Sequence, residues 1–331
     1  MDVSLVIPGR NAAGTLRSCL EAVVPLLEAG ALREIIFVDD GSTDSTPAIV
    51  AEYPVRYLRV ERRGPGGARN EGWRAAAGVA VWFIDSDCVP APDALRLLER
   101  RLEEAGVAGV GGSYSNVRED SLLACLIQEE IRERHLSMHG PVDYLGSFNV
   151  LYWKWALERA GGFDERDFNA PLAPGAEDAD LSYRLCDLGF TLRFDPSSVV
   201  GHHHPTRLRS YLRSQRLHGR WGARLYYRHR GRAAKNSYST WLDHVQPALA
   251  VGALVAAPGL LVPGLRLVAP SLAVTLAGLQ LPMAVRLMRR TGRWRYAMFI
   301  PMSLVRAASR GIGLAQGAVG LLWNRPEAVS R

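Results

Sequence analysis

Glu34-Ile35-Ile36-Phe37-Val38-Asp39-Asp40-Gly41-Ser42-Thr43-Asp44 is a short, largely β-branched apolar run that ends on an acidic, glycine-containing turn. A run of that length and composition reads as a buried strand, and the turn residues close it. The pattern recurs on both sides, at Val3–Ile7 before it and at Val55–Val60 and Val79–Ile84 after it. Helical spacing fills the gaps. Leu16, Leu20, Val23 and Leu27 share one face after Asn11, and Ala48–Tyr53 follows Pro47 as a first helical residue. A third helix starts near Pro92 with Leu95, Leu98 and Leu102 on one face. This alternation predicts an α/β fold with a mostly parallel, doubly wound sheet, whose ligands bind at the carboxyl ends of the strands. Farther along, Gly106–Tyr114 reads as a glycine-rich strand and Leu122–Leu136 as an amphipathic helix. Glu177–Leu188 reads as a helix stopped by Gly189.

The 331 residues are 48% apolar and 22% charged, which supports a sizeable core and excludes wholesale disorder. Charge is divided unevenly. After Asp195 twenty basic residues face only Asp243 and Glu327, a balance of +18. The formal total is +7, so the first 195 residues carry −11. An acidic half joined to a basic tail points to an anionic partner for the tail. The apolar stretches beside it favour phospholipid over nucleic acid. Cys19, Cys88, Cys125 and Cys186 form no C-x-x-C pair, so reduced thiols are expected rather than a zinc site or disulfides. The first apolar run starts at Val3 without a basic leader; no secretory signal is expected, and the catalytic half is expected in the cytoplasm.

The candidate chemistry follows the strands. Asp85-Ser86-Asp87 closes the fourth one, and two carboxylates two residues apart on a tight turn can converge on a hard cation. Such an ion neutralises charge that builds on a diphosphate leaving group. Arg63–Gly72 reads as a glycine-rich turn leading into a helix, with exposed backbone N–H groups suited to phosphate. Glu177-Asp178 opens a helix after the Pro- and Gly-containing loop Asn169–Ala176. Such carboxylates serve as helix caps, or Asp178 serves as a general base for an acceptor hydroxyl. His202-His203-His204-Pro205 closes another apolar run, and three consecutive histidines favour at least one metal ligand.

Six segments occur in a fixed order: Ser4-Leu5-Val6-Ile7-Pro8, Val38–Asp44, Gly67-Ala68-Arg69-Asn70, Asp85-Ser86-Asp87, Ala160-Gly161-Gly162-Phe163-Asp164-Glu165, and Glu177–Leu185. Over roughly residues 2–215 the chain thereby resembles the family 2 glycosyltransferases of the GT-A, Rossmann-like fold. The resemblance implies an inverting transferase that takes a sugar from a nucleoside-diphosphate sugar with Mg2+ or Mn2+. It implies that Pro8 and Arg10 lie beside the nucleotide, that Asp39 and its neighbour Asp40 lie on the base side, and that Arg69 holds base or diphosphate. Asp85 would face the ribose and the metal shell, Asp87 would ligate the metal, and His202, with His204 as second choice, would complete it. Asp178 would be the base, with Glu177 beside it. Processive members carry Q-x-x-R-W, whereas Gln215–Trp221 has two extra residues between Gln and Arg, so a single addition is expected.

Two other readings compete. A nicotinamide-dependent oxidoreductase needs G-x-G-x-x-G after the first strand, and Pro8–Gly14 lacks it. A non-catalytic carbohydrate- or lipid-binding relic would be expected to have lost Asp87 or Asp178, and both remain. The catalytic domain is expected over 1–236 and a helical membrane region over 237–331. Pro247–Leu265 and Leu267–Val285, nineteen residues each, approach the roughly 20 that a bilayer-spanning helix needs. Basic clusters at Arg207–Lys235 and Arg286–Arg295 flank them, so a hairpin with both ends in the cytoplasm satisfies the positive-inside rule. Tyr296–Trp323 carries Arg306 and Arg310 on one face and is expected to lie in the headgroup layer. The partners implied are a nucleotide-sugar donor, a glycan or lipid-linked acceptor and membrane phospholipid.

Overall fold

A computed structural model describes residues 1–166, 168, 175–232 and 236–323. Most of the loop Asn169–Ala176 and Lys235 of the basic cluster lie outside these described residues. The chain forms two compact units, one of Met1–Glu119 with Ile131–His204, the other of Asp120–Glu130 with Pro205–Arg331. Leu208–Arg228 therefore belongs with the second unit, and a domain boundary at residue 236 stands as a proposal.

The first unit runs β1 (Val3–Gly9), α1 (Leu16–Glu28), β2 (Glu34–Asp39), α2 (Thr46–Val50), β3 (Arg56–Arg59), α3 (Gly64–Ala75), β4 (Ala80–Ile84), β5 (Cys88–Pro90), α4 (Ala94–Leu102) and β6 (Val107–Asn116). After α5 (Leu122–His135) it continues with β7 (Pro141–Val142), β8 (Asn149–Trp153), α6 (Lys154–Ala160), α7 (Glu177–Asp187) and β9 (Thr191–His202). One sheet holds the strands in the order β3-β2-β1-β4-β8-β6-β9-β5, with β7 on β9. The first four are parallel, as the alternation of strands and helices predicts. The other half is mixed: β8 enters antiparallel between β4 and β6, β9 pairs parallel with β6, and β5 pairs antiparallel with β9. The core is built from strand interiors and from the periodic faces of α1 (Leu16, Cys19, Leu20, Val23) and α4 (Ala94, Leu95, Leu98, Leu102).

The glycine-rich stretch departs from expectation. Gly64–Ala75 is helical rather than a turn, despite the low helix propensity of its glycines. Its first amides are satisfied from a distance: the Asp40 carboxylate accepts from the Arg63 N–H and, at 2.9 Å, from the Gly64 N–H. The helix also buries Ala68, Arg69, Asn70 and Trp73.

The second unit contains α8 (Leu208–Arg228), α9 (Leu242–Ala256), α10 (Val268–Gly278), α11 (Leu281–Thr291) and α12 (Phe299–Trp323). Helices α8 and α12 touch backbone to backbone, because a Cβ at Gly313 or Gly317 would collide with the Arg216 or Arg220 carbonyl. Trp241–Leu261 and Val268–Thr291 are long and apolar enough to cross a membrane by length and composition. They are not continuous α-helices. A 3₁₀ turn over Ala257–Leu261 follows α9, and Pro282 starts α11 afresh. Arg306 and Arg310, expected on one face of a headgroup-layer helix, both have partners within the second unit, and the placement of Tyr296–Trp323 at the headgroup layer stands as a proposal. Arg306 is buried against Glu130, and Arg310 donates to Gln215 at 2.6 Å. A buried guanidinium requires such a partner, and the partner lies 176 residues away in sequence.

Candidate active site

The ends of β1 and β2 are stitched together. Asn11 accepts from the Thr43 N–H at 2.8 Å and donates its own N–H to Ser42 at 2.9 Å. Asp39 at the end of β2 is wholly buried; its carboxylate accepts from the Ser42 N–H at 2.8 Å and the Tyr57 hydroxyl at 2.5 Å. The carboxylate of Asp40 is turned to the start of α3, where it accepts from the Arg63 and Gly64 N–H groups. Pro8 is buried and Arg10 half-buried. The Nε of Arg10 is buried without a hydrogen-bond partner among the described residues, as is that of Arg69.

Arg69 joins the two acidic motifs. Its Nη2 donates to Asp85 at 2.7 Å and its Nη1 to Glu177 at 3.0 Å. Burial works against the guanidinium charge, but the Asp85 and Glu177 carboxylates outweigh it and hold the group above its ordinary value. Glu177 is buried at the start of α7, and burial together with the neighbouring Asp178 charge pushes its carboxyl from 4.5 up to about 7. Asp178, half-buried, is also raised by burial, against the pull of the Ala179 N–H and Arg69. The residue before this helix, Ala176, has φ of 68°, a left-handed backbone unusual for a residue with a Cβ.

Asp87 and His202 meet on the other side of the Asp85-Ser86-Asp87 turn, with Oδ2 and Nε2 3.5 Å apart. Cys88 completes a cluster whose ligand atoms all lie within 4.8 Å of one another. Burial raises the Asp87 carboxyl, and His202 partly counters this. Two cis ligands of an octahedral cation with bonds of 2.0–2.1 Å stand about 3 Å apart, so carboxylate and imidazole fit a divalent ion with little movement. Asp85 is instead committed to Arg69. His204 lies behind His202 rather than in the cluster: the two Nδ1 atoms are 3.1 Å apart, which turns the Nε2 of His202 towards Asp87. Burial and His202 push His204 down to about 3, so it remains neutral. His203 meets Asp87 through its backbone N–H at 3.4 Å.

Several supporting residues were not singled out from sequence. The Tyr144 hydroxyl donates to Asp178 at 3.3 Å, and its loop is docked on α7 by the Leu145 N–H to Ser182 at 3.1 Å. Asn70 clasps the turn before residue 165, accepting from the Phe163 N–H at 2.9 Å and donating to Glu165 at 2.7 Å. Gly162 has φ of 72°, and a Cβ there would strike the Asn70 side chain. Arg184, held by Asp180 one turn earlier on α7, ties the helix to the same turn by donating to the Ala160 and Gly162 carbonyls. The quoted motifs Gly67–Asn70, Ala160–Glu165 and Glu177–Leu185 thus brace one another.

The mixed sheet with acidic turns at its strand ends belongs to the GT-A class of nucleotide-sugar transferase folds. The family descriptions "Glycosyl transferase family 2" and "Glycosyl transferase family group 2" match residues 4–140 and 80–308, and the chain belongs to this glycosyltransferase family. It is similar to the pre-mycofactocin glycosyltransferase of Mycobacterium tuberculosis, with 31% identity over 245 residues, covering 70% of this chain and 49% of that protein. Glycosyltransferase AglE of Haloferax volcanii is 28% identical over 216 residues, covering 61% of this chain and 66% of that protein. The chain spans about half the length of the first of these relatives. Among solved structures, the mannosyltransferase PcManGT of Pyrobaculum calidifontis, in complex with GDP-Man and Mn2+, shares the fold at a TM-score of 0.56. Identity is 19%, over 98% of this chain and 88% of that one.

Proposed function

We propose that the chain transfers a sugar from a nucleoside-diphosphate sugar to an acceptor hydroxyl, inverting the anomeric carbon in one displacement and adding one sugar per encounter. The observation that carries this reading is the Arg69 bridge. One buried guanidinium links Asp85, on the turn that presents Asp87, to Glu177, the neighbour of Asp178. Donor-side and acceptor-side carboxylates distant in sequence thereby share one site.

In the displacement Asp178 takes the acceptor hydroxyl proton while that oxygen bonds to the anomeric carbon. The bond from this carbon to the diphosphate oxygen breaks, and the nucleoside diphosphate leaves with the electron pair. A raised pKa suits Asp178 to this work, because a base acts best when its pKa approaches the operating pH. Arg10 and Arg69 offer buried Nε–H donors to the anionic donor substrate. Asp87 and His202 would hold Mg2+ or Mn2+, which supplies charge neutralisation at the diphosphate. The GDP-Man and Mn2+ bound by PcManGT support such a donor and metal. Single addition is supported by Gln215, which is buried in the helical unit and engaged by Arg310.

The second unit is the membrane-associated part in this reading, with the catalytic unit in the cytoplasm. Two candidate spans with exposed Val255, Leu261 and Val274 suit hydrocarbon, and the basic clusters beside them suit anionic phospholipid. The acceptor is then a glycan or a lipid-linked molecule. A panel of nucleoside-diphosphate sugars incubated with the full chain and Mn2+ or Mg2+ tests the assignment. One donor class should release its nucleoside diphosphate, and chelator should stop the release; no binding and no turnover with any donor rules the reading out.

A further inference from the structure

We propose that Cys88 provides the Asp87–His202 site with a third, sulfur ligand for thiophilic cations, so that Zn2+ or Cd2+ binds there in competition with Mg2+ or Mn2+. This rests on the reading of Asp87 and His202 as a metal site. Cys88 lies directly opposite His202 in the antiparallel pairing of β5 with β9, and directly opposed residues project to the same face of a sheet. Asp87 immediately precedes β5. The Cys88 Sγ lies 3.9 Å from the Asp87 Oδ1, the Asp87 Oδ2 3.5 Å from the His202 Nε2, and no pair of ligand atoms in the cluster exceeds 4.8 Å. Ligand atoms of a tetrahedral zinc site, with bonds of 2.0–2.3 Å, stand roughly 3.3–3.8 Å apart. The three side chains therefore have to close by only about 1 Å, within reach of a rotamer adjustment.

The chemistry separates two classes of cation. Mg2+ and Mn2+ favour oxygen and imidazole ligands and leave the Cys88 sulfur out of the shell. A thiophilic cation exchanges the S–H bond for a metal–sulfur bond, and the proton leaves to solvent with no change of oxidation state. Zn2+ also outranks Mn2+ for a given set of nitrogen, oxygen and sulfur ligands. A third protein ligand leaves a tetrahedral ion one open position, too few to grip a diphosphate as an octahedral ion does. Zn2+ bound in this way thus occupies the site and suppresses transfer. Cys19 supplies the control, since it is equally buried, points its thiol at the Asp85 carbonyl at 3.9 Å, and lies outside the cluster.

The test is a Cd2+ titration of the reduced, metal-free full chain, read by the ultraviolet thiolate-to-cadmium charge-transfer band, with Mn2+ binding followed separately by electron paramagnetic resonance. The band should saturate at one equivalent, and Mn2+ already bound should be released as it grows. It should survive Cys19→Ser and vanish in Cys88→Ser, with Zn2+ affinity falling more than about tenfold. If Mn2+ binds but Cd2+ raises no band, or if the band persists in Cys88→Ser, the sulfur assignment is overturned while the metal site stands. A wild-type band that grows while bound Mn2+ stays in place overturns it as well, without recourse to any variant. If neither Mn2+ nor Cd2+ binds, the underlying metal site falls and this inference with it.

Discussion

Replacing Arg69 with Met keeps the length and apolar volume of the side chain and removes the charge that holds Asp85 and Glu177 together. The guanidinium is buried, with Glu177 buried beside it and Asp85 part-exposed. Breaking a buried ion pair by deleting one partner costs about 3–5 kcal/mol, because the charge left behind is uncompensated. The penalty should depend on pH. Glu177 already sits at about 7 in the folded chain against a usual 4.5, and loss of Arg69 raises it further. The folded variant then keeps a proton that the unfolded chain has released, so its stability falls as pH rises from about 5 towards the new folded pKa. At pH 5.5 both forms of the folded protein carry the proton, and only the Arg69–Asp85 pair is lost. At pH 8 the wild-type glutamate is mostly ionised and paired, while the variant must bury an unpaired carboxylate or hold a proton against the solution. A further rise of one pKa unit makes the penalty at pH 8, where the variant is only half ionised, exceed that at pH 5.5 by about 1 kcal/mol. Denaturant unfolding of Arg69→Met and wild type at the two pH values measures this directly. Equal penalties at both, or a total below about 1 kcal/mol at pH 8, would refute the bridge as a buried electrostatic element.

Asp87→Ala should abolish metal-supported transfer and weaken donor binding, and full wild-type activity in excess chelator would contradict the metal role. Tyr144→Phe removes the hydroxyl that donates to Asp178, so the acid limb of the kcat profile should move up by about one pH unit or less. A profile that stays in place argues against Tyr144 tuning the base. Cysteines introduced at the exposed Arg230 and Arg293 should be labelled from the same side of the membrane, and one at Arg266 from the other. Labelling of 230 and 293 from opposite sides excludes the hairpin.

The parallel half of the sheet was legible because each of its strands is a compact apolar run and the helices between them bury one periodic face. Strand β8 escaped notice, since it belongs between β4 and β6, neither adjacent in sequence, and β5 is only three residues long. Arg63–Gly72 read as a turn from its glycines; a carboxylate from residue 40 overrides that local preference by capping the helix. Site residues on strand ends and helix starts were visible by motif, but their division of labour was not. That Asp85 turns to Arg69 while Asp87 turns to His202, and that His204 backs His202, depends on how β4, α3, α7 and β9 converge. In the second unit, the shared face of Arg306 and Arg310 was legible from spacing but their partners were not, because Glu130 and Gln215 are remote in sequence. Spacing along one helix cannot reveal a partner on another.

The central claim is that Asp178 takes the proton in a single displacement, and Asp178→Asn isolates that step by keeping size and polarity while removing the basic oxygen. Single-turnover sugar transfer, measured together with donor and metal binding, gives the decisive comparison. General-base catalysis typically contributes about 10²–10⁴-fold, so transfer should fall by that factor with donor and metal affinity nearly unchanged. Glu177→Gln should retain more activity, as befits a residue whose bond to Arg69 orients the helix start. Transfer by Asp178→Asn at close to the wild-type rate would contradict the account.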